Sequence, residues 1–405
     1  MRDLRARLAR VAASTVTTTT SRVAVMPTSE ACFLRETAVP LDEIGAGLYD
    51  LNPEALLPID AGFAQRNERL PELSRLLFLD TETTGLGMGA GTVAFLVGLG
   101  WIEGDAFLVR QYLMRDYSEE PLLLEAFAGL LPRFDAFVTY NGKTFDLPLL
   151  ENRLTMHRMR HVDLRRPHLD LLYPTRRVWR LRLRDCTLGN IERRVLDCGR
   201  EDDLPGSEVP ERYFTYLKTG DFSLLEDVLR HNLRDVQTLA KLLLRLARVF
   251  EKPEQQDFFE DVFSVGRALA RDGNREAARV CFRVAGSGKP IQVAAEARML
   301  LARSHRQDRQ FAEAEAVYAE MINRGEGGVA PYVELAKIAE HRRRDFALAL
   351  RHTEAALERL ALRERLGGAV DEEESCALHV RRARLLRRIS MMNNHTTKEN
   401  AQWDS

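Results

Sequence analysis

The sequence predicts an α/β domain, a mixed sheet with flanking helices, followed by an all-α domain of helical repeats. Three observations predict it. Apolar, β-type runs come three in succession, LLFLD, TVAFLVGLGW and AFLVRQYLM, and later runs alternate with helical patterns, which implies a mixed sheet rather than a purely parallel one. Beyond about residue 255 the strands vanish and alanine-rich helical segments take over. The chain has 405 residues, 45% of them apolar, enough for more than one core.

Each element has its own signal. Residues 1–72 hold few periodic runs: TVTTTT is low-complexity and expected to be disordered, and ETAVPLDEIGAGLYDLNPEALLPID is turn-rich chain expected to wrap the next domain. Leu76–Asp80 is the first strong strand. A hairpin turns at Glu103-Gly104-Asp105. A helix is expected from about Ser118, with Ser118 as N-cap, to Pro132. DAFVTYNG (135–142) is a strand ending in a turn, DLPLLENRLTMH is helical, HLDLLYP (168–174) is short and extended, and a long helix covers about Leu224–Phe250. This sets an α/β domain at 73–252.

In the helical region, GNREAARVCF, RQFAEAEAVY and RDFALALRHT align with Ala278, Ala314 and Ala349 in register, at spacings of 36 and 35 residues. That is near the 34 of a tetratricopeptide repeat. EARMLLARSH and YVELAKIAEH read as the first helices of such hairpins, so repeats are expected over 253–361, then a helix and a disordered polar tail over 362–405.

Composition excludes some classes. Net charge is −1, so any nucleic-acid surface must be a local patch. The five cysteines form no CxxC pair, which signals neither a zinc knuckle nor a redox pair and fits a reducing cytosol. The N-terminus lacks the apolar core of a secretory signal and no stretch is long and apolar enough for a membrane span, so a cytoplasmic protein with no membrane partner is expected.

The chemistry starts at Asp80-Thr81-Glu82. Strand side chains alternate, so both carboxylates share one face. Two like charges there are unfavourable unless a cation neutralises them, and hard divalent ions take such oxygen ligands. A solvated strand end is the plainer alternative for this pair alone. Asp146 follows a second strand and an Asn-Gly turn, 64 residues after Glu82, and His231 and Asp235 sit four apart on the long helix, hence on one face.

In this order the motifs DTETTG, NGKTFD and HNLRD resemble those of the DEDD superfamily of 3′–5′ exonucleases, which share a ribonuclease H-like fold. The intervening VAFLVGLG, VRQYLMRD, YNGKTFDLPLL, HLDLLYP and PERYF resemble more narrowly the YprB-like ribonuclease H-like domain family, whose domain is often followed by tetratricopeptide repeats. The likeness covers about 75–250. It implies a metal-dependent nuclease in which Asp80, Glu82, Asp146 and Asp235 hold two divalent cations, Mg²⁺ or Mn²⁺, around the scissile phosphate, with His231 as general base. One subclass of the superfamily carries Tyr four residues before the last Asp, the other His five before it. His231 is the residue of one at the spacing of the other, a spacing that lets it reach the site from a regular helix.

Other residues are expected at the substrate. Thr83, Asn141 and Lys143 flank the acidic motifs. Residues 153–184 hold ten arginines against two aspartates, with Tyr173 and Trp179 among them, and Arg176, Arg177 and Arg180 are expected to bind single-stranded nucleic acid. A solvated helix face, or ion pairs with Glu201-Asp202-Asp203, is the alternative for that stretch. Asp170 suits either a supporting acid near the metals or a turn cap. GLGMGAG is no phosphate loop, because a strand and not a helix follows it. The expected activity is 3′–5′ exonuclease on single-stranded DNA or RNA, with the repeats engaging a protein partner. The rival is an inactive ribonuclease H-like scaffold.

Overall fold

The structure is a computed structural model and describes residues 21–22, 32–45, 51, 59, 71–85, 91–199, 204–369 and 371–403. The TVTTTT run, residues 86–90 of the glycine-rich stretch and Glu201-Asp202-Asp203 lie outside the described residues. The chain divides into two compact units, Met1–Lys252 and Pro253–Ser405.

The first unit contains strands β1 Ser21–Arg22, β2 Phe33–Pro40, β3 Leu76–Thr83, β4 Ala94–Glu103, β5 Ala106–Leu113, β6 Ala136–Thr139 and β7 His168–Asp170. They form one mixed sheet in the order β1-β2-β5-β4-β3-β6-β7. Pairing is antiparallel from β1 to β3 and parallel across β3, β6 and β7. Every residue of β4 except Glu103 is buried, so this strand is covered on both faces, as its unbroken apolar run requires. The hairpin to β5 turns at Gly104, which adopts φ +62°, a conformation favouring glycine.

Two expectations need correcting. The N-terminal segment is more than a wrap: β2 pairs along its whole length with β5. Its sequence, FLRETAVP, is too polar in the middle to read as a strand, and the cross-strand partnership of Glu36 with Arg110 stabilises it only once β5 is alongside. The helix expected from Ser118 begins at Glu120, after a 3₁₀ turn over Tyr117–Glu119. The cap is Asp116, whose carboxylate accepts the Ser118 backbone N–H at 2.9 Å.

Helices α1 Leu41–Ile44, α2 Glu120–Leu130, α3 Asp146–Met156, α4 Leu172–Leu183, α5 Leu188–Arg194, α6 Val209–Thr219 and α7 Ser223–Glu251 complete the unit. Helix α7 buries Leu225, Val228, Leu229, Asn232, Val236 and Leu239, a stripe at helical spacing, and packs on β3, β4 and β5. Each fully buried Val or Leu contributes about 1.5–3 kcal/mol. Two glycines of β4 set how closely it packs. A Cβ on Gly98 would lie 2.2 Å from Asn232 Oδ1, and one on Gly100 would lie 2.6 Å from Val236 Cγ1. The VGLGW run is therefore a smooth seat for one face of α7.

The second unit is all helical: α8 Phe259–Arg271, α9 Arg275–Gly286, α10 Ile291–Gln307, α11 Phe311–Asn323, α12 Ala330–Ile338, α13 Phe346–Arg365 and α14 Glu372–Trp403. Successive helices pack as pairs, α8 on α9, α10 on α11, α12 on α13, with α14 on α13. Ala278, Ala314 and Ala349 are fully buried, one in each second helix. Helix α14 runs on to Trp403, through the polar stretch where the sequence predicts disorder. Among the described residues no helix is long and apolar enough to cross a membrane.

Candidate metal centre

Strand β3 outruns its parallel neighbour. β6 pairs only with Leu76–Phe78, so residues 80–83 project past its end. Asp80 and Glu82 stand on this projection, opposite Gly98 and Leu96 of β4. A register shift between Glu82 and Thr83 bulges the strand where pairing ends.

Helix α7 brings His231 and Asp235 to the same place. His231 Nε2 is 3.5 Å from Asp235 Oδ2 and 3.9 Å from Glu82 Oε1. One ligand atom from each of Glu82, His231 and Asp235 lies within 4.8 Å of the others, close enough to share one ion. Asp146, first residue of α3, is buried and accepts a hydrogen bond from the Thr81 hydroxyl at 2.5 Å.

Asp80 ties the set together. Its carboxyl is held well above the usual carboxylate range by burial first, then by the charges of Asp235, Glu82 and Asp146. All four acids thus act on one small volume. Burial also pushes Asp146 up to about 6, against the opposing Thr81 hydrogen bond. Where Asp80 and Asp146 resist ionisation, the site is short of positive charge. The two carboxylates and one imidazole of Glu82, Asp235 and His231 are donors that a divalent cation can take.

The sequence reading missed the residues that hold Asp80. Asn232 Nδ2 donates to Asp80 Oδ2 at 2.8 Å, and Gln111 Nε2 donates to Asn232 Oδ1 at 2.9 Å and to the Leu229 carbonyl at 2.7 Å. Both amides are buried. A polar residue on the buried stripe of α7 was the available signal, visible only once its apolar face is drawn.

The expected substrate residues separate. Thr83 is buried and its hydroxyl donates to the Gly85 carbonyl at 2.8 Å, which takes Thr83 off the exposed surface. Asn141 and Lys143 are exposed on the turn before Asp146. Asp170 settles as the organiser of that turn: it accepts the backbone N–H groups of Asn141, Lys143 and Leu172 at 2.8, 3.0 and 3.1 Å.

The arginine-rich stretch also divides. Arg153 is buried against Glu120, and Arg166 donates to the carbonyls of Leu131 and Phe134 at 2.8 and 2.9 Å, so both serve the fold. Trp179 is fully buried in the core and stacks on no base, whereas Tyr173 is exposed. Arg176 and Arg180 line an open cleft with Arg184, and Arg177 is not part of that lining.

Residues 77–247 match the RNase_H superfamily, a span that runs from β3 into α7 and contains Asp80, Glu82, Asp146, His231 and Asp235. Over 371 residues the chain is 30% identical to the protein YprB of Bacillus subtilis (strain 168), covering 89% of this chain and 87% of that one. A family B DNA polymerase from the archaeon Pyrobaculum calidifontis superposes with a TM-score of 0.34 at 17% identity, over 54% of this chain and 29% of the polymerase, so the chain spans under a third of that protein. The chain belongs to the family of YprB, and its first unit carries a ribonuclease H-like domain, a superfamily that commonly uses divalent metals.

Proposed function

We propose that the first unit is a two-metal-dependent nuclease, a 3′–5′ exonuclease that hydrolyses phosphodiester bonds of single-stranded DNA or RNA. The observation that carries this is the convergence of Asp80, Glu82, Asp146 and Asp235 with His231, expressed in the carboxyl of Asp80, whose ionisation the other three acids oppose. A scaffold gains nothing from three acids set against the carboxyl of a fourth.

Asp80, Glu82, Asp146 and Asp235 would hold two Mg²⁺ or Mn²⁺ ions, which supply Lewis-acid polarisation of the phosphate and its attacking water. His231, whose Nε2 lies 3.5 Å from Asp235 Oδ2 and 3.9 Å from Glu82 Oε1, would take the proton of the attacking water. Asn232 and Gln111 keep Asp80 aimed at the site through their buried hydrogen bonds.

We read the paired helices of the second unit as tetratricopeptide-like repeats that engage a protein partner. Support comes from the three buried alanines in register and from the helix caps. Asn274 and Asp345, at matching places in two of the repeats, accept the Ala277 and Leu348 backbone N–H groups at 3.2 and 2.8 Å.

The test is a time course on end-labelled single-stranded DNA and RNA in Mg²⁺ and in Mn²⁺, with Asp80→Asn as control. Stepwise shortening from the 3′ end by wild type, lost in Asp80→Asn, is expected. Internal fragments would replace the exonuclease reading with an endonuclease. Intact substrate in every condition would leave the inactive scaffold as the correct reading.

A further inference from the structure

Beside the turn that carries Asp146 lies a cleft of about 490 Å³, lined by Tyr140, Asn141, Arg176, Arg180, Arg184 and Cys186 among others. The three arginines are exposed, and none forms an ion pair with a described residue. Among the described lining residues the one acid is Asp185, which accepts the Thr187 backbone N–H and hydroxyl, both at 3.0 Å. Among the described residues the cleft therefore sets three arginines against one carboxylate, a local excess of positive charge in a chain of net charge −1.

Its walls are built. Arg176 and Arg180 stand one turn apart on α4, and Arg184 caps its end with φ +62°. At 1.5 Å per residue, each step of four spaces the guanidinium roots about 6 Å apart, and the row spans about 12 Å. Helix C-termini favour cations in their last turn, but Arg176 lies outside that turn, so dipole compensation does not account for the row. The Tyr140 hydroxyl donates to the Cys186 carbonyl and ties the end of β6 to the far wall. Asn141 closes the near wall in a left-handed conformation, φ +71°, on the turn that Asp170 pins. Five residues after Asn141 the same turn delivers Asp146 to the acidic cluster.

We infer that this cleft is a phosphate-binding channel for the non-scissile part of the substrate strand, engaging about three consecutive phosphates beyond the metal centre. A row of this length exceeds a single phosphate, and its separation from the acids by one turn suits a strand that runs from the cleft over Asn141 to the scissile bond. The inference rests on the nuclease reading for the identity of the strand and goes beyond it. It makes the protein length-selective, with substrates too short to reach the arginines bound by the metal centre alone.

The experiment uses the full chain carrying Asp80→Asn at a fixed concentration of Mn²⁺, and labelled oligothymidylates of four and fourteen nucleotides, with anisotropy followed across salt. Replacing Arg176, Arg180 and Arg184 by Ala should weaken 14-mer binding at least tenfold and lower its log–log salt slope by about 2, at roughly 0.7 per lost phosphate contact. The 4-mer should be unaffected, and the triple Lys variant should restore the slope. Thermal melts matching the parent confirm that the variants fold. An unchanged 14-mer slope overturns the inference, as does equal weakening of the 4-mer, which would make the cleft part of the scissile site. The two readings fail separately. A wild-type chain that cleaves nothing but shows the arginine-dependent slope removes the nuclease and keeps the channel. Cleavage with an arginine-independent slope does the reverse.

Discussion

Replacing Asp146 by Asn should stabilise the metal-free protein at neutral pH. Asp146 is 6% exposed, and burial moves its carboxyl from 3.8 to about 6. The native state thus holds this proton more tightly than the unfolded chain does. The stabilisation is fully present below about 3.8 and is lost as pH rises through about 6. At about 1.4 kcal/mol per tenfold change, the ionised carboxyl costs about 3 kcal/mol. Asn keeps an oxygen for the Thr81 hydroxyl and carries no charge, so it avoids this cost and also removes one of the charges acting on Asp80. For a unit of this size the gain corresponds to about 6–12 °C in Tm. Tryptophan fluorescence of a chain carrying Trp403→Phe reports on the unit, because Trp101 and Trp179 are both buried in it. Melts in EDTA from pH 4 to 8 should show wild type falling behind Asp146→Asn between pH 4 and 7 and running parallel above. Adding Mn²⁺ at about a hundredfold over its Kd should then raise wild type by about 2.7 kcal/mol and Asp146→Asn by less. A difference between the two proteins that is the same at pH 4 and pH 8 would refute the reasoning, because Asp146 would then ionise as freely in the fold as outside it.

Asn232→Ala should lower Mn²⁺ affinity 10- to 100-fold by calorimetry, since it removes the donor that orients Asp80. Gly98→Ala should destabilise by about 1–3 kcal/mol, because its Cβ meets Asn232 Oδ1 at 2.2 Å. The double variant should lose less than the sum of the two, and simple additivity in urea melts would mean that α7 does not rest on that glycine. His231→Ala should cut turnover by about 10²–10⁴, while His231→Tyr should retain part of it; full activity in the alanine variant would assign proton transfer elsewhere. Arg153→Ala should destabilise by about 3–5 kcal/mol, because it leaves the buried Glu120 carboxylate facing His157 alone, with unchanged strand affinity. Loss of strand binding in a folded Arg153→Ala protein would return that arginine to the substrate surface.

The sequence by itself determined what short range controls. The apolar run at 76–80, the Glu103–Asp105 turn and the long stripe of α7 each announce their element, because periodicity and turn chemistry are local properties. The acids and His231 were legible as a set through the resemblance of DTETTG, NGKTFD and HNLRD to the exonuclease motifs, because the strand end and the helical spacing taken alone also suit solvated residues. Only the tertiary structure decided how these pieces meet. Strand β2 exists because β5 supplies its hydrogen bonds and Arg110 faces Glu36. Gly98 is a seat rather than a flaw in a strand because Asn232 arrives from 134 residues away. Within one arginine-rich stretch, Arg153 goes to Glu120 in the core while Arg176, Arg180 and Arg184 face an open cleft. Composition treats these arginines alike. What separates them is which charges and carbonyls the folded chain sets against each one, and that depends on contacts between residues far apart in sequence.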